Sequence, residues 1–473
     1  INPSDKELKK IKNADRFEFR NSEIEINNPP EEVAIIGSGP SGLFTAYVLS
    51  QNGVKVKVYE RGEAIEDRIK TIDDFKNSGK LNTESNIQFG EGGAGTYSDG
   101  KLTARSKDPR VRMVLDTFHK YGAPDDIMID AKPHIGTDLL RDVIINMREE
   151  IKANGGEFYF SHHLDDIEIK DDNVVNIIVN EENIKSGAYV LAIGHSARDT
   201  FEMLSEKIPM ENKNFAVGFR IEHKRETINE AQYSGKNTDI EGNILPAASY
   251  NLSYNNKESG LSSYTFCMCP GGYVVNASSE ENMTCVNGMS YHDRNGENSN
   301  AALIVTIGEE IYGKELLDGM RFQREVENKA YELAEGKVPV QRFIDFKNNK
   351  KTKEIGNIKP SVESAYELAN LRNLYPAIID EMIIEAIEYM GNKLDGFSDD
   401  DSILSGVETR SSSPIKMLRD KENKSLGLSN LYTIGEGSGH SGGIVSSAVD
   451  GIKTAEAILN RKWKKSKKTF DNI

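Results

Sequence analysis

At 473 residues the chain is too long for a single compact core, so two domains are expected, with room for a third. Its 37% hydrophobic and 28% charged residues match a soluble globular protein, and a net charge of −16 argues against a chain built to grip nucleic-acid phosphates. No apolar run is long enough to span a bilayer and no signal-peptide pattern is read; three cysteines form no disulfide framework, so a reducing cytoplasm is expected.

The chain starts at Ile1 rather than Met, which leaves room for a longer parent chain. Residues 1–30 read as a polar lead-in that ends in Asn27–Pro30. From Val33 to Gly62 the sequence spells strand, glycine turn, helix, strand and acidic stop. Gly37 allows the tight turn, Gly39 lets the backbone approach a pyrophosphate, and Gly42 lets the helix pack close to the strand. With Ser38, Pro40 and Ser41 they open a helix whose free N–H groups and partial positive charge suit phosphate. Glu60, at the end of the second strand, can accept from ribose hydroxyls.

Gln88 to Leu102 is a glycine-rich stretch in which Gly92, Gly93 and Gly95, next to Thr96, let a flat ring approach the backbone. A helix follows with Thr137 as N-cap, an apolar face of Leu140, Val143, Ile144, Met147 and Ile151, and Gly155 as its stop. A hairpin with its turn at Asp171–Asn173 comes next, then an apolar strand from Ala188 into Gly194. Between about 205 and 400, short strands and polar turns suggest an α+β insertion. Its last helix starts at Pro376, with Ile379, Met382, Ile383, Ala386, Ile387 and Met390 on one face. Asp395–Ser402 reads as a surface linker. The chain then returns to strand, glycine turn and helix, with Gly435 and Glu436 in the turn and Gly442, Gly443 and Ile444 at the helix start. A basic tail from Arg461 to Lys468 reads as solvated.

Two ring-binding candidates at opposite ends of the chain favour FAD over NAD, because a redox ring far from its adenosine needs such segments elsewhere. No second strand–glycine–helix unit is found, so NADH or NADPH would visit transiently. No metal site is read: Cys285 is the only thiol besides Cys267 and Cys269.

Several residues are candidates for chemistry. Cys267 and Cys269 alternate along a strand and share a face, either as small buried residues or as a labile dithiol that feeds the flavin. His134 and His195 fall in motif-like stretches, and His195 suits a hydrogen-bonding hinge at the domain junction. His440, inside the ring-binding turn, is the better candidate for proton transfer. Arg410 is either a clamp for an acidic substrate or one half of an interdomain ion pair.

Val33–Glu60, the "YVLAIG" strand and the closing "LYTIGEG" segment together resemble the FAD-binding domain of the glutathione reductase superfamily. More closely, "GEGGAGTYSDGKL", "AIGHSARDTF", "CMCPGG", "NGMSYHDR", "ETRSSSP" and "IGEGSGHSGGIVSSAVDG" resemble a bacterial family of FAD-dependent dehydrogenases, over about residues 31 to 460. The resemblance implies bound FAD, an oxidoreductase activity on an unidentified substrate, and a basic residue near Arg61 or Arg68 that reaches the pyrophosphate. The superfamily's closing Gly-Asp is Gly435-Glu436 here, and the longer carboxylate can still accept from a ribityl hydroxyl.

The expected fold is α/β: a Rossmann-like FAD-binding domain (31–204 and 402–460) around an inserted α+β substrate or cap domain (205–401), with the lead-in at 1–30 and the tail at 461–473. The expected function is transfer of hydride or electrons between a small-molecule substrate and FAD, without nucleic acid or membrane as partner. Two rivals stand beside it, a flavin-dependent enzyme that modifies a macromolecule such as tRNA and a non-enzymatic FAD-binding sensor.

Overall fold

Val33, Ala34, Ile35 and Ile36 are all buried, as they must be in a parallel strand covered on both faces. The computed structural model describes residues 29–460 except 105, 237 and 239–243. Most of the expected lead-in and the whole basic tail lie outside the described residues. The strand Glu32–Ile36 is the centre of a five-stranded parallel sheet, in the order Leu431–Thr433, Ala188–Leu191, Glu32–Ile36, Lys55–Glu60, Glu157–Phe160. Val33 and Ile35 pack toward the helices Pro40–Ser50, Thr137–Ala153 and Ile444–Ile458. Ala34 and Ile36 pack toward a three-stranded antiparallel sheet (Leu164–Lys170, Asn173–Val179, Glu182–Ile184) and the helix Arg198–Ser205. This is the expected doubly covered α/β layout.

The two ends of the described chain meet in this layer. Thr45 donates its hydroxyl to the Gly451 carbonyl at 3.1 Å, and a Cβ on Gly451 would fall 2.2 Å from the Ser41 carbonyl oxygen. The closing helix and the first helix therefore pack backbone to backbone, which needs glycine there.

A second sheet has seven strands in the order Ser253–Asn255, Ser262–Cys269, Asn298–Ile307, Phe215–Lys224, Ile403–Glu408, Val338–Arg342, Tyr366–Leu368. The helix Ala377–Gly391 covers it, and all six apolar residues expected on its inner face are buried. Among the described residues, no helix is long and apolar enough to cross a membrane.

The structure corrects several local expectations. Gly136, at φ +86°, caps the helix that Thr137 was expected to cap, and the Thr137 hydroxyl instead donates to the Thr96 carbonyl at 2.7 Å. Pro376 is the extended N-cap of its helix rather than the first helical residue. Asp395–Ser402 is no surface linker: Phe397 and Ser402 are fully buried, and the Phe397 carbonyl accepts from His223 Nε2 at 2.7 Å. The strand that follows, Ile403–Glu408, was assigned to the closing part of the FAD-binding domain. It pairs instead with Phe215–Lys224 and Val338–Arg342, because its six residues are all buried and fill the middle of the second sheet.

Candidate functional site

The phosphate-loop glycines meet three separate demands. Gly37 sits at φ +98°, where a Cβ would lie 2.4 Å from the Ala192 carbonyl oxygen. A Cβ on Gly42 would lie 2.0 Å from the Gly37 carbonyl oxygen, so close packing is what this position serves. Gly39 caps the first helix at an ordinary φ of −64°, with nothing nearer to an added Cβ than the Gly93 Cα at 3.9 Å. Its open side faces a cavity of about 350 Å³ that is also lined by Gly37, Pro40 and Ser41. Ser38 is fully buried behind them.

Glu60 organises this end of the cavity. One carboxylate oxygen accepts from the Ser38 N–H at 2.9 Å and the Ser38 hydroxyl at 2.8 Å, and the other accepts from the N–H groups of Gly62 and Gly90, each at 3.0 Å. It lines the cavity, and it also ties the first glycine turn to the glycine-rich stretch. Arg61 lines the cavity beside it, stacked over Phe89 at 4.1 Å and paired with Glu84 and Asp199 at 3.0 Å. Arg68 does not reach the cavity. It is fully buried and donates to the carbonyls of Asn86, Ile87, Glu91 and Gly93 at 2.7–3.0 Å, so it shapes the 86–93 turn from behind. The expected pyrophosphate contact is therefore withdrawn from Arg68.

In and just past that turn Gly93 and Gly95 line the cavity, while Gly92 and Thr96 face inward. Gly194 lies on the wall at φ +65° with no atom within 4 Å of an added Cβ. On the far side Glu436, Gly442, Gly443 and Ile444 contribute, and the backbone of the closing helix starts there at its Gly443 cap. Gly435 stands one step back; its N–H donates to Asp450 at 2.8 Å, which holds the turn.

The structure decides the surroundings of three candidates for chemistry. His440 points out of the cavity: its Nε2 lies 3.0 Å from the Met417 carbonyl, and burial pushes its pKa down. Proton transfer is withdrawn from it. Arg410 lines the cavity, but its Nε and Nη2 are held by Glu327 at 3.0 and 2.7 Å and its Nη1 by the Ser279 hydroxyl. The ion-pair alternative is the one observed. Cys267 does reach the cavity wall. The simple alternation expected for Cys267 and Cys269 fails, because the strand has a register shift between Phe266 and Cys269 and Cys267 sits at φ +43°.

Sequence reasoning gave no cavity role to Asp99, Lys101, Phe266, Asn287 or Glu408, all of which line it. No periodicity marks them, since they come from separate loops and strands. His195, expected at a hinge, is buried on the wall, with Nδ1 3.4 Å from Glu436 Oε1 and Nε2 without a hydrogen-bond partner among the described residues. Among the described residues no cluster of His, Cys, Asp or Glu could hold a metal.

Residues 214–411 match the sequence family described as "FAD-dependent protein, C-terminal domain-like", and residues 35–90 match the NAD(P)-binding Rossmann-like domain. The chain is 46% identical over 448 residues to an uncharacterized protein of Clostridium beijerinckii, which covers 93% of this chain and 84% of that one. The chain belongs to this family of FAD-dependent proteins. As a member of this family the chain is FAD-dependent, which is the expected cofactor. A weaker likeness, 25% identity over 209 residues, covers 40% of this chain and 69% of a thiamine thiazole synthase of Pyrococcus furiosus. Solved structures with a similar layout include glycine oxidase of Bacillus cereus (10% identity, TM-score 0.37, 90% of this chain and 97% of that one). Glycerol-3-phosphate dehydrogenase of Bacillus halodurans, complexed with FAD, is another (10%, 0.38, 91% and 64%).

The residues present fit FAD. The cradle opens at Gly39 and Gly442, where an added Cβ would meet at most a distant glycine, and the orphaned His195 Nε2 offers a buried polar contact on the wall. When bound, the flavin supplies the hydride or electron transfer itself.

Proposed function

We propose that this FAD-dependent protein is an oxidoreductase that exchanges hydride or electrons with a small molecule at the end of the cavity that the second sheet closes. In this reading Gly39, Pro40 and Ser41 face the pyrophosphate, Glu60 and Arg61 the adenosine ribose, and Glu436 with His195 the ribityl chain. The first-helix and closing-helix N-termini direct N–H groups and partial positive charge at the phosphates and at the electron-rich edge of the ring. The cofactor-binding unit is then split, from about 31 to 213 and from about 412 to 460, with the second sheet as the substrate-facing unit.

A single continuous cavity carries this reading. It runs from the phosphate loop to Phe266, Cys267, Asn287 and Glu408, and so joins the Rossmann-like layer to the second sheet. Asp99, Lys101, Glu408 and Arg410 line that end, each already paired with another charge, and most of the cavity lining is apolar. A nicotinamide would approach the open ring face as a visitor.

Anaerobic titration of the FAD-loaded protein with NADH and NADPH tests the electron source. Rapid bleaching of the flavin band by either identifies a nicotinamide-linked enzyme. No bleaching by either leaves a dehydrogenase reduced by its own substrate or a non-enzymatic FAD-binding sensor.

A further inference from the structure

The strand Ser262–Cys269 changes character where it reaches the cavity. Up to Phe266 it pairs regularly with Asn298–Ile307; pairing resumes only at Cys269, opposite Asn300. Between them Cys267 takes a left-handed backbone conformation at φ +43°, which a non-glycine residue adopts at a cost. The kink turns the Cys269 thiol back on the chain, where it donates to the Cys267 carbonyl at 3.3 Å. Cys267 is half-buried on the cavity wall, whereas Cys269 is fully buried behind it.

The surroundings hold this kink in place. Arg220, fully buried, is anchored by Glu408 at 2.9 and 3.1 Å and by Asn300 at 2.9 Å. It donates to the Cys267 carbonyl at 3.1 Å and lies 3.9 Å from Cys269 Sγ. Lys101 donates to the Met268 carbonyl, and Asp99, paired with Lys101 at 3.1 Å, faces the same corner. Neighbouring Cys269, together with Lys101 and Arg220, pulls the Cys267 thiol below its ordinary range despite burial, while Cys269 is pushed up. An accessible thiolate in front of a buried, protonated partner is the arrangement of an attacking and a resolving sulfur.

Cys267 lines the same cavity as Gly95, Gly443 and Ile444, and Lys101 on that wall donates to the Met268 carbonyl between the two cysteines.

We propose that Cys267 and Cys269 form a dithiol–disulfide couple that passes two electrons between the bound flavin and a small-molecule dithiol. An external thiolate attacks Cys267 sulfur of the disulfide, and Cys269 leaves and takes a proton. The external partner thiol then attacks the mixed disulfide, releasing its own disulfide and the Cys267 thiolate. The reduced pair, one thiolate and one thiol, closes its S–S bond again as oxidised flavin accepts its two electrons and the Cys269 proton. The proposal rests on the flavin reading above.

The test takes the FAD-loaded protein through anaerobic buffers of reduced and oxidised dithiothreitol, followed by acid quench, alkylation and peptide mass measurement. The peptide with both cysteines is expected to lose two hydrogens over a defined range of ratios. Dithionite is expected to deliver four electrons per FAD to the wild type and to Cys285→Ser, and two to Cys269→Ser. Free thiols at every ratio, with two electrons per FAD in the wild type, would overturn the couple and leave the flavin reading intact. A colourless chain would overturn both.

Discussion

Arg410 sets its guanidinium against the Glu327 carboxylate through bonds of 3.0 and 2.7 Å, and neither side chain is more than 2% exposed. Arg198, which opens the helix after the Ala188–Leu191 strand, holds the same carboxylate at 2.7 and 2.9 Å. Burial alone would raise the Glu327 pKa, but the two guanidinium groups outweigh it and hold the carboxyl well below the usual range. One carboxylate thus locks the Rossmann-like layer to the second sheet.

Glu327→Gln leaves two buried guanidinium groups facing a neutral amide. Removing one partner of a buried ion pair costs about 3–5 kcal/mol. The expected outcome is a loss of that size in urea unfolding, with a smaller loss for Arg410→Lys. Unchanged unfolding midpoints would return Arg410 to the role of a substrate clamp.

Glu60 carries a second prediction. If it served only a ribose, Glu60→Ala would lower flavin content and leave the flavin-free protein as stable as before. Its four donors in the structure predict both effects, since each buried N–H left bare costs about 1–3 kcal/mol. Melting temperatures of the flavin-free wild type and variant separate the two cases.

The βαβ unit was legible because its constraints are local. Gly37, Gly39 and Gly42 answer to turn, cavity and packing within six residues of one another, and each has the surroundings its spacing implied. The apolar face of the helix after Pro376 follows from period alone. Arg68 and His440 were not legible, and for Arg410 the sequence offered an ion pair without its partner. What each one does depends on which carbonyl or carboxylate the fold brings to it, and Glu327 lies 83 residues from Arg410. Asp395–Ser402 misled for a related reason: a polar composition hid Phe397, which the second sheet buries.

His223 predicts a pH dependence. It is fully buried, its Nε2 is bonded to the Phe397 carbonyl, and burial pushes its pKa down to about 4. The unfolded chain takes up this proton near pH 6.5, before the folded one does. Stability that is complete above that value is therefore lost as pH falls from about 6.5 toward 4, by about 2 kcal/mol at pH 5. His223→Gln removes the titration and keeps a donor. Urea midpoints at pH 7.5 and 5.0 are expected to fall further for the wild type than for the variant, and equal falls would count against this role.

Gly39→Val places a side chain in the cavity from a backbone angle that any residue adopts. The variant is expected to fold with nearly the wild-type melting temperature when flavin-free, and to retain less than about a tenth of the flavin. Gly42→Ala, whose Cβ would strike the Gly37 carbonyl, is expected to fail at folding instead. Soluble yield and circular dichroism distinguish these outcomes.

The most direct measurement is the amount of FAD released by heat from the purified chain after incubation with excess FAD and gel filtration. One FAD per chain for the wild type, and close to none for Gly39→Val, is the predicted result. A folded wild-type chain that stays colourless under those conditions would contradict the account.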